Sequence, residues 1–374
     1  SYYGPGRRTK QVDYLNGTSA NLTYNGFRLV SDVDHKDSQS TTFAGFDYAY
    51  DKMGNPLYEE RTHDSGAGDI YAYDSAYRLK GAIIGSDDPS AEMADDDWDY
   101  GDEDYVDKIE YNMDDVSNRT SVVTTPDGGS AATVSYTSNS VNWYTIAGGV
   151  SRTHDDNGNL TDDGTYDYSY DYRNNLVKVM DGQTVVAEYE FDALGRRTKK
   201  TVDADVTLTY YDGEHCVEEF DDSNNLLRKF IYGQQIDEIR VMIAPDYADV
   251  DDDENTTELM EFYYHHNMLG SVTHITDPDE TVVEKYEYLP YGQVTIKAGS
   301  GSDLSGVSAI TNPYMFTSRR LDEETGLFHY RRRAHDPVCG RFMQRDPLGC
   351  VDGPNIYEYV LSLPTLIRDP RGEF

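Results

Sequence analysis

The sequence predicts an all-β protein built from stacked hairpins, and three observations carry that prediction. An aromatic-x-aromatic-Asp unit, followed by two or three turn residues, recurs along most of the chain. Helical periodicity is nearly absent between these units, while strand-like alternation is common. The third observation is the balance of apolar residues. Leu, Ile, Val and Phe number 73 in 374 residues and the formal charge is −37, but there are 33 Tyr. Few aliphatics with high charge would ordinarily signal disorder. A Tyr ring buries a large apolar body while its hydroxyl stays hydrogen-bonded, so a Tyr core is open where a Leu core is not.

The hairpins follow one another in order. The first clear unit is Tyr48-Ala49-Tyr50-Asp51, closed by Gly54-Asn55, and the next is Tyr71-Ala72-Tyr73-Asp74. After them come a degenerate copy at His154-Asp155, then Tyr168-Ser169-Tyr170-Asp171, Tyr189-Glu190-Phe191-Asp192 and Phe220-Asp221. Residues i and i+2 of a strand share a face, so each unit places two rings on one side of a sheet. Asp, Asn and Gly supply the turn, and Gly and Asn tolerate its left-handed position. One hairpin is marginal alone; stacked hairpins bury a continuous aromatic stripe. The pattern Tyr-Asp-x-x-Gly-Asn/Arg-Leu resembles the YD repeats of the Rhs family, which also occur in bacterial toxin-complex shells and animal teneurins. The resemblance covers most of residues 10–300 and implies a β-spiral.

Two acidic stretches interrupt the repeats. Eleven acids lie between Asp87 and Asp107, and the segment 246–257 adds a second cluster. Asp95, Asp96 and Asp97 in the first, and Asp251, Asp252 and Asp253 in the second, are the candidates for Ca²⁺, which takes six to eight oxygens. Neither stretch has EF-hand spacing, and the preferred reading is solvated insertions between strands, with no cofactor. The acidic balance leaves no counter-charge for phosphates and excludes general nucleic-acid binding. It also disfavours anionic membrane surfaces, and no apolar run approaches a membrane span. The opening Ser1-Tyr2-Tyr3-Gly4 reads as the interior of a longer chain or a processed product. Cys216, Cys339 and Cys350 have no metal spacing and are expected as buried free thiols. His265-His266 is expected in the turn after Tyr263-Tyr264, in place of the usual Asp.

From Pro313 the pattern changes. The run from Arg319-Arg320-Leu321-Asp322 through Arg331-Arg332-Arg333 leads to Gly340-Arg341-Phe342, Arg345-Asp346-Pro347-Leu348-Gly349, Asp352-Gly353-Pro354 and finally Arg368-Asp369-Pro370-Arg371-Gly372. This ordered series closely resembles the Rhs-repeat-associated core. The expected organisation is thus a YD-repeat spiral over 1–312 and a core over 313–374. The resemblance implies that the core curls inward to plug one end of the spiral. It also implies, for many members, a cut after the last Asp-Pro-x-Gly that frees a variable C-terminal segment, commonly a toxin.

The residues are compatible with that chemistry. Asp346 and Asp369 both stand in Asp-Pro-x-Gly turns, where Pro fixes one dihedral and Gly permits a sharp reversal. Two carboxyls held together share a proton, so that one can activate water and the other can protonate the leaving nitrogen. Arg345 is the candidate to orient the pair by a forked contact. Turn-capping by both Asp residues is the alternative. Two departures stand against cleavage: Glu373 replaces the family's usual Leu, and Ser362-Leu363-Pro364 replaces Asn-Asn-Pro. Arg331-Arg332-Arg333 is expected to pair with the acidic repeats. The functional expectation is a bacterial secreted or cell-surface scaffold that encloses or presents its own downstream segment, at most a single-turnover cis aspartyl autoprotease. Its partners would be its own flanking segments or payload. The alternative is a structural or adhesive protein in which further copies join head-to-tail into filaments.

Overall fold

The computed structural model describes residues 1–3, 8–92, 105–246 and 258–374. Nearly all its regular structure is strand. Among the described residues the helices are one four-residue turn, Pro89–Glu92, and two short 3₁₀ turns at Phe316–Ser318 and Val360–Ser362. Asp95, Asp96, Asp97, Asp251, Asp252 and Asp253 lie outside the described residues.

Two large antiparallel sheets make up the repeats. The first has 12 strands, from Gln11–Asp13 to Val150–Ser151, and the second has 14, from Thr153–His154 to Val294–Ala298. Every strand pairs with its neighbour in sequence, so each sheet is a meander of hairpins. Only Arg152 separates Val150–Ser151 from Thr153–His154, and one extended segment therefore passes from the edge of one sheet to the edge of the other. Two further strands, Tyr2–Tyr3 and Arg8–Thr9, pair at the start.

The turns explain the repeat. Asp192 Oδ1 accepts the backbone N–H of Leu194 at 2.8 Å and of Arg196 at 3.0 Å, and Oδ2 takes the Arg196 Nε at 2.8 Å. Asp51 does the same with Met53 and Asn55, and Asp171 with Arg173 and Asn175. The fourth residue of each turn has positive φ, as at Gly54, Asn174 and Gly195. The aromatic before each Asp sits at a register shift, where a bulge turns its side chain. In several hairpins the hydroxyl of the strand's last aromatic then reaches back to the strand before. Tyr50 donates to the Val30 carbonyl, Tyr73 to Pro56, Tyr170 to Leu160, Tyr232 to Cys216 and Tyr288 to Val272. This ladder ties hairpin to hairpin and leaves each ring inside, with both rings of each pair in one cluster, as the alternation predicted.

Two expectations need correction. His265 and His266 end the strand Leu259–His266, and Asn267 takes the Asp position, accepting N–H bonds from Leu269 and Ser271. Asn carries the same acceptor oxygen as Asp, so it caps the turn equally well. Of the three thiols, Cys216 and Cys339 are buried but Cys350 is exposed, because it follows the Asp346 turn in an irregular surface stretch.

A four-stranded sheet follows the repeats: Arg320–Asp322, Leu327–Tyr330, Arg333–Asp336 and Arg341–Phe342. Leu327 and Phe342 are buried in it. In an antiparallel meander alternate turns fall on opposite rims, and the Asp51, Asp171, Asp192 and Asn267 turns share one. The C-terminal segment lies across that rim. A methyl group on Gly158, Gly195 or Gly270 would strike Arg345, Arg332 or Arg368 at 2.6 Å or less.

Candidate functional site

The C-terminal segment is fixed by ion pairs as well as by apolar packing. Asp322 receives both Arg197 nitrogens, at 2.7 and 2.9 Å, and the Lys200 ammonium at 3.0 Å. Burial alone would raise this carboxyl, but Arg197 and then Lys200 hold it well below the usual range. Glu219 of the repeats, fully buried, takes Arg228 at 2.6 Å and also Arg320. Asp237 takes Arg319 and Arg331. The arginine run therefore divides. Arg331 pairs with the repeats, whereas Arg332 meets Glu373 at 3.5 Å and Arg333 turns into the segment's own interior.

Arg333 is where the two predicted aspartates meet. Its Nη2 lies 3.2 Å from Asp346 Oδ2 and 3.2 Å from Asp369 Oδ2. Its plane stacks 3.6 Å from the Phe342 ring centroid. The three residues are 2%, 8% and 2% exposed, so the charges meet out of water. Burial lowers the guanidinium's proton affinity, and the two carboxylates oppose that shift.

The backbone of residues 371–374 wraps around the same group. Asp369 Oδ1 accepts the N–H of Arg371 at 3.1 Å, Gly372 at 2.8 Å and Glu373 at 3.1 Å, while Oδ2 accepts that of Phe374 at 3.0 Å. From the other side Arg333 Nε donates to the Gly372 carbonyl at 2.9 Å and Nη2 to that of Phe374 at 2.9 Å. Asp346 Oδ1 caps its own turn through the Leu348 N–H at 2.7 Å. Gly372 has φ +68° and a methyl there would lie 2.2 Å from the Tyr330 carbonyl oxygen. Glycine is therefore required by both its conformation and the close approach of another backbone.

Arg345 is elsewhere. Its Nε contacts the Tyr357 hydroxyl at 3.3 Å, and Tyr357 in turn donates to the Gly158 carbonyl at 2.8 Å. It joins the segment to a repeat turn, and Arg333 is the guanidinium that bridges Asp346 and Asp369. In the sequence Arg333 is hidden as the third of three consecutive arginines. The available signal was alternation: Arg333 and His335 share a strand face, and both are buried.

A meander of Asp-turn hairpins, carrying a compact segment across one rim, is the architecture of a YD shell. The Teneurin YD-shell family model matches residues 16–352, and the chain belongs to that family. It is 30% identical over 274 residues to the tRNA nuclease WapA of Bacillus subtilis (strain 168), covering 71% of this chain and 11% of the nuclease. Over 60 residues it is 47% identical to the toxin protein Tse5 of Pseudomonas aeruginosa, 16% of this chain and 5% of the toxin. The crystal structure of TcdB2-TccC3 has the same fold, with a TM-score of 0.75 at 18% identity over 99% of this chain and 19% of that one. The chain thus spans about a tenth of the nuclease it resembles. Among the described residues no helix is long and apolar enough to cross a membrane.

Proposed function

We propose that this chain is the C-terminal part of a bacterial secreted or surface YD-shell scaffold, and that Arg333, Asp346 and Asp369 cut the Gly372–Glu373 bond once, in cis. The observation that carries the reading is the convergence of two carboxylates and one guanidinium on the backbone of residues 372–374. Turn capping accounts for the N–H bonds of Asp369 but not for a buried arginine shared with a second Asp-Pro-x-Gly turn. The toxins among the relatives support a downstream payload as the thing released, and the scaffold's partner is then its own following segment.

In this reading one carboxylate takes a proton from a water that attacks the Gly372 carbonyl carbon. The Arg333 Nε–H already points at the Gly372 oxygen and stabilises the negative charge that develops there. Asp369, beside the Glu373 nitrogen, is placed to hand on to it the proton taken from that water as the C–N bond breaks. The water's oxygen ends on Gly372, and its hydrogens are shared between the new carboxyl and the new amine. Neither metal nor cofactor is called for.

The test uses a chain lengthened past Phe374 by a folded reporter. It should arrive as two pieces that stay associated, with an intact mass ending at Gly372. Asp346→Asn, Asp369→Asn and Arg333→Met should each leave it whole while the circular-dichroism spectrum keeps its strand signature. Arg345→Ala should still split, because that side chain serves packing. An extended wild type that stays whole, or a double Asn variant that splits, overturns the reading and returns both motifs to turns.

A further inference from the structure

Beyond that site, the molecule contains a second buried cluster of titratable groups. The early strands Val30–Lys36 and Thr42–Tyr50 pack against the late strands Leu259–His266 and Val272–Thr276 without any strand pairing between them. Imidazoles fill this seam. His35 and His265 face each other with their Nδ1 atoms 3.2 Å apart, and His265 Nε2 lies 3.0 Å from the Thr276 hydroxyl. His35 Nε2 meets the His266 carbonyl at 2.9 Å. His63 and His274 lie 5.0 Å apart, centroid to centroid, and neither ring nitrogen of His274 has a hydrogen-bond partner. Phe43 and Tyr14 pack edge-on against His265, and the Tyr14 hydroxyl bonds the Tyr264 carbonyl across the seam.

The surroundings set more cations than carboxylates against a proton on these rings. On the late side Arg240 acts on His35, His265 and His266, Lys285 acts on His63 and His274, and Arg368 of the C-terminal segment acts on His266. On the early side Arg61 opposes a charge on His63, whereas the His266 carbonyl and Asp34 favour protonation of His35, and the Gly45 carbonyl and Asp64 favour that of His63. Burial is the largest cause in each case. It lowers His35 to about 4 and His265, His266 and His274 well below their ordinary value.

We propose that this seam is an acid-sensitive joint: protonation of its imidazoles separates the early strands from the late ones while the hairpins distant from it persist. A charge on either member of the His35–His265 pair faces a second ring at contact distance in a dry, cation-flanked site. The direction follows from linkage. The separated state binds protons at the ordinary histidine value near pH 6.5, and the closed state resists until about pH 4 at His35. The closed form is therefore fully stable above that ordinary value and loses ground at every step below it. Its opening would widen the adjoining cavity of about 600 Å³, which His63 and His274 line. An acid-opened joint would give a shell a way to respond to its surroundings, and it does not depend on whether the chain is cut.

Hydrogen exchange followed by mass spectrometry on the full chain, corrected for intrinsic rates, tests this between about pH 7 and about pH 4. Residues 30–50 and 259–276 should lose protection at least about tenfold before residues 176–191 lose any. His274→Phe removes a ring that makes no hydrogen bond, so it should keep the fold and move the opening to lower pH. Protection lost everywhere at one pH, or a seam that stays closed to about pH 4, overturns the joint. So does an H274F variant that opens at the wild-type pH. If H274F fails to fold, the regional comparison in the wild type decides alone.

Discussion

Asp192 shows how much one residue does here. Its carboxylate satisfies two backbone N–H groups and the Arg196 side chain, in a turn whose left-handed position is Gly195. Asp192→Ala leaves those donors to water and should cost about 1–2 kcal/mol in denaturant unfolding. The tyrosine ladder predicts a smaller loss. Tyr288→Phe keeps the buried ring and removes only the bond to the Val272 carbonyl at 2.6 Å, so about 1 kcal/mol is expected by the same measurement. Gly372 belongs to the same scale. Gly372→Ala should displace the 371–374 turn from Arg333, read as faster backbone exchange there with the repeats unchanged.

At the level of the element, the four-stranded sheet of the C-terminal segment is the part that depends on others. Its strands are two to four residues long, too short to stand alone. They are held by burial of Phe328, Tyr330, Phe342 and Tyr359 in the cluster that also contains Phe230, Phe262 and Tyr264 of the repeats. Phe342→Ala empties a fully buried site beside Arg333 and should cost about 3–5 kcal/mol in urea melts, and Leu327→Ala about 2–5 kcal/mol. Both variants should lose protection in the C-terminal segment before the repeats.

For the whole molecule, acid stability is set by buried carboxylates as well as by the histidine seam. Burial alone would raise Glu219, but Arg228 and Arg320 hold it at about 2. Its contribution is therefore present above the ordinary carboxylate value, near pH 4.5, and is lost as pH falls toward 2. Glu219→Gln should flatten the acid limb of a melting-temperature profile in that window and leave neighbouring pH values lower throughout. Removing one member of a buried pair leaves the other charged and unpaired. Asp322→Asn, which strands Arg197 and leaves Lys200 only Glu324, should thus cost about 3–5 kcal/mol near neutrality.

The sequence alone determined the all-β class, the hairpin repeat and the turn chemistry, because each is written in residues a few positions apart. Asp, its i+2 and i+4 partners and the left-handed fourth residue form one local unit, so Asp51, Asp171 and Asp192 were legible without any structure. The Asp-Pro-x-Gly turns at Asp346 and Asp369 were legible for the same reason. Their meeting on a common guanidinium, and the identity of that guanidinium, came only from the tertiary structure. Arg345 is next to Asp346 in sequence, but in an irregular stretch neighbouring side chains need not share a partner. One reaches Tyr357 and the other Arg333, which arrives from a different strand. The histidine seam was hidden in the same way. His35, His63, His265 and His274 come from hairpins more than two hundred residues apart at the extremes, and only the overlap of the two sheets removes them from water together. Local hydrogen bonding is encoded by spacing; burial and charge pairing are encoded by which distant surfaces close on one another.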